Sequence, residues 1–470
     1  LNANKIQMSE DTKSWVDFYS IQCALHLLLP QAEQDALRFL SEKHHANMQR
    51  MMNYHLGHYY HLQQEFALAL DCFSKAGPES LTNEQIGNLK FEQAYALFNQ
   101  QQFKDAKPLF QEVMQMNAHP YYIASHYYFG FISFSEHQLD DALSAFETAL
   151  QAPEYNAVLP YYIAEIYYEQ GKKDRALSYG DSVLASGANN YYEKDLQLLV
   201  GQIYFEKQSY EKAMPLIEAF SNKSGKVTRE VMYELSFCYY KAGKSDKAIE
   251  GFRQLSNEKD SLGQSSMYLL GTLYLNIGDK ANARNAFQYC ASVNVNAEQQ
   301  ESARLNYAKL SGELGFQDIA INEMRSFIKD YPNSTNASEA KEFLLNLLTA
   351  TNNYADGIEL YKSIPNPPAN LQSVYPQLLF GRAVQLINDQ QYIQADTILG
   401  IQLTLKSASM LNPYASYWKG EIAYKQKRYD AAIKYLLSFL AASPKPLGEA
   451  TINNGKYTLG YSYFQKGNFK

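Results

Sequence analysis

The sequence predicts an all-α protein that is built from one repeated pair of antiparallel helices. Two spacings predict this fold class: an alanine returns at nearly constant steps, and a second small residue precedes each of these alanines by twelve positions. Composition is the third observation, because 46% apolar and 19% charged residues suit a continuous core. At 470 residues the chain is too long for one ordinary globular core, so a repeat array accounts best for both facts.

The alanine spacing sets the length of the repeated unit. Successive positions are 33 to 38 residues apart, and one of the twelve carries glycine instead of alanine. The twelve positions are Ala36, Ala69, Ala106, Ala142, Ala176, Ala213, Ala248, Ala283, Ala320, Gly357, Ala395 and Ala432. Stacked repeats have periods of roughly 20 to 50 residues, so this step fits a unit of two helices and two turns.

The small residue twelve positions earlier indicates where the two helices of a unit come closest. Eleven of the twelve residues are Gly, Ala or Ser, and the exception is leucine. The twelve are Ala24, Gly57, Ala94, Gly130, Ala164, Gly201, Ser236, Gly271, Ala308, Leu345, Ala383 and Gly420. Antiparallel backbones approach closely only where side chains are small, and bulky partners then follow three and four residues away on the same face.

The full unit resembles the tetratricopeptide repeat. It has a small residue, Tyr three positions on, an aromatic near nine, Ala at twelve and an aromatic at sixteen, as in Gly57, Tyr60, Phe66, Ala69 and Phe73. The resemblance covers nearly the whole chain. It implies a right-handed α-solenoid of about twelve helix-turn-helix units plus an incomplete thirteenth.

The same resemblance implies how the chain is organised. We expect residues 1–470 to form a single continuous array, with a flexing point near residues 364–370 in the proline-rich segment. Gly460 begins the incomplete unit in register, so the chain is expected to be a fragment of a longer one.

The texture of the repeats is similar to that of the long tetratricopeptide proteins of Bacteroidetes-type bacteria. The segments Tyr-Tyr-Ile-Ala-Glu-Ile-Tyr-Tyr at 161–168 and Gln-Gln-Phe-Lys-Asp-Ala at 101–106 carry this likeness. Proteins of this kind are often exported, so the resemblance implies the cell envelope or periplasm, with the cytoplasm as the alternative.

The family's binding groove, carried over to this sequence, is lined with aromatic side chains. In such arrays the residues three before, one after and four after the first small residue face the concave surface, and here Tyr54 and Phe91 begin an aromatic ladder. The candidate ligand-binding residues are Tyr95, Phe98, Tyr127, Phe131, Phe134, Tyr161, Tyr168, Phe205, Tyr233, Phe237, Tyr240 and Tyr268. Rigid aromatics supply binding area at low entropy cost.

Two interpretations of this ladder stay open. The rings either pack neighbouring units together or form a surface for a ligand. Tyr95, Phe131 and Phe237 favour the ligand surface, because packing between units requires less at their position. The family's charged clamp for a terminal carboxylate belongs at these same places, which hold aromatics here. A carboxyl-tail chaperone adaptor is therefore not expected.

Charge and hydropathy narrow the kinds of partner. A net charge of −7 and a pI near 5.8 argue against a nucleic-acid backbone as the main partner. No apolar run approaches the roughly 18 residues that a membrane span needs. The expected partner is a protein or peptide.

No residue pattern points to catalysis, a cofactor or a metal. His55, His58 and His61 are spaced by three, but no acidic residue or cysteine stands beside them in the sequence. Gly243-Lys244-Ser245 mimics the end of a phosphate-binding loop without the rest of that motif, and is interpreted as a turn between helices. The four cysteines are scattered and are expected to be buried hydrophobic residues.

The sequence thus predicts a non-enzymatic scaffold for protein–protein interactions. Its concave face would take an extended or helical segment of a partner. A glycan-binding protein of the cell envelope is the alternative, since aromatic platforms also stack on sugar rings. A further alternative is that the array is the sensor arm of a longer multidomain protein.

Overall fold

The computed structural model describes residues 10–405 and 409–467, and its regular structure in these ranges is helical. The chain forms two compact units, Leu1–Val227 and Thr228–Lys470. In each unit every helix packs on the helices before and after it, and first helices of neighbouring pairs also touch. The all-α solenoid predicted from the spacing is confirmed.

The first unit contains six consecutive helix pairs. Its helices are α1 (Glu10–His26), α2 (Ala32–Ser41), α3 (Ala46–Leu62), α4 (Phe66–Ala76), α5 (Asn83–Asn99), α6 (Phe103–Val113), α7 (Tyr122–Ser135), α8 (Leu139–Ala149), α9 (Leu159–Glu169), α10 (Lys173–Ser186), α11 (Glu193–Glu206) and α12 (Tyr210–Lys223). Two short 3-10 turns, Pro78–Ser80 and Pro153–Tyr155, lie between pairs.

The second unit contains six pairs followed by one more first helix. Its helices are α13 (Arg229–Lys241), α14 (Ser245–Gln254), α15 (Ser261–Asn276), α16 (Lys280–Ala291), α17 (Ala297–Glu313), α18 (Gln317–Asp330), α19 (Ala337–Ala350), α20 (Tyr354–Lys362), α21 (Ala369–Asn388), α22 (Tyr392–Thr404), α23 (Asn412–Lys425), α24 (Tyr429–Ala442) and α25 (Ile452–Gln465). In the described residues this confirms twelve pairs and the first helix of a thirteenth. A single continuous array across both units, with a flexing point, stays a prediction.

The core lies between the two helices of each pair, where small residues admit large ones. All twelve alanine-position residues are buried. A β-carbon on Gly57 would lie 2.5 Å from Cε1 of Phe73, and one on Gly130 would lie 2.6 Å from Cδ1 of Phe146. The glycine is therefore required because an aromatic ring of the second helix rests on its backbone.

The pair with leucine at the first small position reverses the sizes. Leu345 is fully buried in one cluster with Leu378, and a β-carbon on Gly357 would meet Leu378 at 2.6 Å. The large residue thus stands on the first helix and the glycine on the second, so the pair keeps its close packing.

Two helical glycines at the same register test this close approach. A β-carbon on Gly271 would lie 2.8 Å from Cε1 of the buried Phe287, whereas one on Gly460 meets no atom within 4 Å. Gly460→Ala should raise the free energy of unfolding by about 0.5–1 kcal/mol through helix propensity. Gly271→Ala should lower it by up to about 2 kcal/mol, because overpacking exceeds that gain. Urea unfolding followed by circular dichroism measures both, and equal stabilisation by the two variants would contradict the account.

The turn inside each pair has one recurring backbone form. Seven residues after the first small residue φ is positive, between 58° and 88°. These residues are Gln64, Gln101, His137, Gly171, Gln208, Gly243, Gly278, Gly315, Asn352, Gln390, Lys427 and Gly467. Gly243 therefore lies in a turn between helices, as predicted. Seven of the twelve are not glycine and hold a left-handed conformation that costs roughly 1–2 kcal/mol per residue.

The cysteines follow the prediction with one exception. Cys72, Cys238 and Cys290 are buried, and burial raises the pKa of each thiol. Cys23 is exposed on α1, so the expectation of a buried residue is wrong there. Its position on the outer face of that helix explains the difference.

Candidate partner-binding surface

The twelve candidate residues lie on first helices of the pairs, and all twelve are half-buried. Eight belong to the first unit, on α5, α7, α9 and α11, and four belong to the second, on α13 and α15. Each ring is thus packed on one side and reachable from solvent on another.

Two rings at the start of the predicted ladder belong to the core instead. Tyr54 and Phe91 are only 5% and 6% exposed. Tyr121, in the turn before α7, stacks on Phe91 with ring centroids 4.1 Å apart. The prediction that Tyr54 and Phe91 line a ligand surface is therefore wrong, because residues outside the first helix cover them.

The inner sides of the candidate rings in the first unit hold the next pair in place. Tyr128 lies 5.2 Å from Tyr95 and 5.1 Å from Phe98, measured between ring centroids. Tyr162 lies 4.8 Å from Phe131 and 5.5 Å from Phe134 in the same way. Packing between pairs is therefore one role of these rings.

Sequence reasoning missed Tyr128 and Tyr162 as packing residues. Each follows a candidate residue directly, in the doublets Tyr127-Tyr128 and Tyr161-Tyr162. Neighbouring residues on a helix point about 100° apart, so one ring of a doublet faces the surface while the other enters the seam between pairs. The doublets were the available signal, and they account for part of the unusual count of 39 tyrosines.

In the second unit three candidate rings form a stripe along α13. Tyr233, Phe237 and Tyr240 follow the helix at i, i+4 and i+7, and the centroids of neighbouring rings are 6.0 Å apart. The Lys241 ammonium lies 5.4 Å from the Phe237 centroid and 5.8 Å from that of Tyr240. These rings are thus placed to contact a cationic as well as an apolar group. Tyr268, on α15, shares a 3.2 Å hydrogen bond with Ser302.

A carboxylate lies among the candidate rings of α9. Glu165 stands between Tyr161 and Tyr168 on one helix face. Burial raises the pKa of this carboxyl group, repulsion from Glu169 and Asp195 raises it further, and a hydrogen bond from Tyr161 opposes the rise. Tyr168 donates a 2.7 Å hydrogen bond to a different carboxylate, that of Glu206.

The three spaced histidines of α3 form a packed cluster with other helices. His58 Nδ1 lies 2.7 Å from Glu92 Oε1 on α5, and Glu92 is 1% exposed. The acidic neighbour that the local sequence lacked thus comes from the next pair, 34 residues away. His55 is 3% exposed and is far less solvated than the sequence suggested. Across the described residues no three His, Cys, Asp or Glu side chains are grouped to hold a metal ion.

None of the helices in the described ranges combines the length and apolarity that crossing a membrane requires.

Comparison with known proteins places tetratricopeptide repeats in both units. One family model of the tetratricopeptide repeat matches residues 134–191 and 404–445, and a second matches residues 230–259 and 265–292. None of the curated proteins compared with the chain matches it.

Solved structures of repeat proteins are similar at low identity. A tetratricopeptide repeat protein from Parabacteroides merdae ATCC 43184 is 17% identical over 56% of this chain and 99% of its own, with a TM-score of 0.32. YrrB, described as a tetratricopeptide repeat protein with an unusual peptide-binding site, is 19% identical over 43% of this chain and 100% of its own, with a TM-score of 0.34.

Proposed function

Since the chain is a tetratricopeptide repeat protein, we propose that it is a non-enzymatic scaffold that binds a segment of another protein on the aromatic surface of its first helices. Proteins of this family are generally scaffolds without catalytic activity. The bound segment is extended or helical, because both forms present side chains at a regular spacing to a surface of regularly spaced helices.

The observation that carries this proposal is the half-buried state of all twelve candidate rings. Residues that serve packing alone become fully buried, as Phe110 and Phe146 do at 0% exposure. The candidate rings keep an accessible side although they are large and apolar. Aromatic rings held rigidly by their neighbours lose little entropy on binding, which makes them effective anchors at interfaces.

The stripe on α13 provides the test. The triple variant Tyr233→Ala, Phe237→Ala and Tyr240→Ala should weaken peptide binding at least about 30-fold, since one anchor residue is worth about 2 kcal/mol or more. The probe is a peptide selected on the wild-type protein from a displayed library of 12-residue segments. Its Kd is measured by fluorescence polarisation, and helix content by circular dichroism.

A matched control removes exposed apolar side chains from second helices of the same unit. Ile393 on α22 and Leu437 on α24 are 78% and 46% exposed. Their double alanine variant should bind the peptide as the wild type does. The proposal is wrong if the library yields no peptide, or if the folded triple variant binds as tightly as the wild type.

A further inference from the structure

The aromatic surface of the first unit has a carboxylate at its centre on α9. Glu165 follows Tyr161 by four residues and precedes Tyr168 by three, so the three side chains share one face of the helix. Glu165 is half-buried and is hydrogen-bonded by Tyr161. One acidic group is thus held between two rings that are themselves half-buried.

The charges around Glu165 are of its own sign. Glu169 on α9 and Asp195 on α11 both repel its charged form. The basic side chains nearby have other partners: Lys173 pairs with Glu206, and His137 Nδ1 lies 3.5 Å from Glu169. Within the described ranges no Lys, Arg or His forms an ion pair with Glu165. A partly desolvated carboxylate beside like charges is unfavourable unless a cation approaches it.

The second unit contains the same triad with its charge already answered. Tyr417, Glu421 and Tyr424 repeat the spacing on α23. There the charge of Lys425 favours the ionised form of Glu421, and Thr458 is hydrogen-bonded to it. Tyr417 is only 3% exposed, so that triad is closed from solvent at one end. The triad of α9 has the rings and the carboxylate without the built-in cation.

We propose that the Glu165 triad binds a lysine or arginine side chain of the partner segment. The inference rests on the proposed scaffold function and names the chemistry that this part of the surface recognises. The carboxylate accepts charge-assisted hydrogen bonds from the cation, and the tyrosine rings contact its face and its aliphatic stem. Asp195 adds attraction from α11, and Tyr161 keeps the carboxylate oriented towards the surface.

The test uses pools of 12-residue peptides that are random except at one central position. That position is arginine, lysine, or citrulline, which has the shape of arginine without its charge. The wild-type protein should bind the arginine and lysine pools about tenfold or more tighter than the citrulline pool, as expected for a charge-assisted contact. Glu165→Gln should abolish this preference and leave binding of the citrulline pool unchanged.

Glu211→Gln is the matched control, because Glu211 is an exposed carboxylate on α12 of the same unit. It removes the same charge and should leave the preference intact. If both variants reduce it equally, the preference comes from the net charge of −7 and not from a site, and the inference is wrong. If every pool binds equally well, the inference is wrong while the scaffold function stands. If no pool binds, the scaffold function fails with it.

A second readout separates a ligand site from a structural role. Glu165→Gln should raise the urea midpoint of the free protein, because it removes a repelled and partly desolvated charge. A carboxylate kept for the fold would give the opposite shift. Loss of cation preference together with a lowered midpoint would assign Glu165 to structure and overturn the inference.

Discussion

Replacing Phe146 with alanine will lower the free energy of unfolding of the first unit by about 3–5 kcal/mol. The Phe146 side chain on α8 is fully buried, and its ring lies against the backbone of Gly130 on α7. It also contacts Phe131, with ring centroids 5.0 Å apart. Since glycine has no side chain that could move into the space, the cavity left by the ring stays open. Urea unfolding with circular dichroism measures the change.

Tyr191→Ala serves as the control for this prediction. Tyr191 is also a large aromatic residue of the first unit, but it is 77% exposed in the turn before α11. Its removal should change the free energy of unfolding by no more than about 0.5 kcal/mol. A loss below about 1 kcal/mol for Phe146→Ala would contradict the tight seating of the ring.

The first unit will lose stability as the pH falls below about 6.5, with His55 as the main cause. Burial lowers the pKa of His55 to about 3, and the neighbouring His26 and His58 lower it further. The unfolded chain takes up this proton at a pKa of about 6.5, whereas the folded chain stays unprotonated. Stability is therefore complete above pH 6.5 and falls towards pH 3. At pH 5 the loss from His55 is about 2 kcal/mol.

The groups that face His55 act in both directions. Burial also lowers the pKa values of His26 on α1 and His61 on α3, so both add to the acid destabilisation. His58 opposes it, because its hydrogen bond with Glu92 raises the pKa of His58. That pair contributes stability at low pH, which is lost as the pH rises through the folded-state pKa of His58. The remaining neighbours, Phe18 and Tyr54, contribute ring contacts.

His55→Leu should flatten the pH dependence of the urea midpoint between pH 7.5 and 5. Both His55 ring nitrogens are buried without a hydrogen-bond partner, so leucine removes a polar group that gains nothing in the fold. His137→Gln is the control, because His137 is 76% exposed and should leave the pH profile unchanged. An unaltered profile in His55→Leu would show that another group controls the acid response.

The sequence predicted the helix pairs well because their spacing has a steric cause. A glycine such as Gly130 and the Phe146 ring sixteen residues later report one contact, so periodicity directly gives the pairing of helices. Exposure was harder to predict, since register alone does not show what lies above a ring. Phe91 has the register of a surface residue, yet Tyr121 from a turn covers it.

Contacts between neighbouring pairs were the part of the surface that the local sequence did not reveal. His58 and Glu92 are separated by 34 residues, close to one repeat, and meet across adjacent first helices. Comparing each first helix with the next at this offset would have found the pair. The surface around Glu165 depends on the same kind of contact, because Asp195 belongs to the following pair. The identity of the bound segment depends on side chains outside this chain.

The recurring left-handed turn gives the second unit an order of local opening. Gly243, Gly278 and Gly315 occupy the turns of its first three pairs, where that conformation is relaxed, whereas Asn352, Gln390 and Lys427 strain the next three. Repeats depend mainly on their neighbours, so strain in one turn loosens its own pair first. The half that begins at α19 is therefore the one where helices separate more readily, and a chain entangled with a partner would be freed from that side.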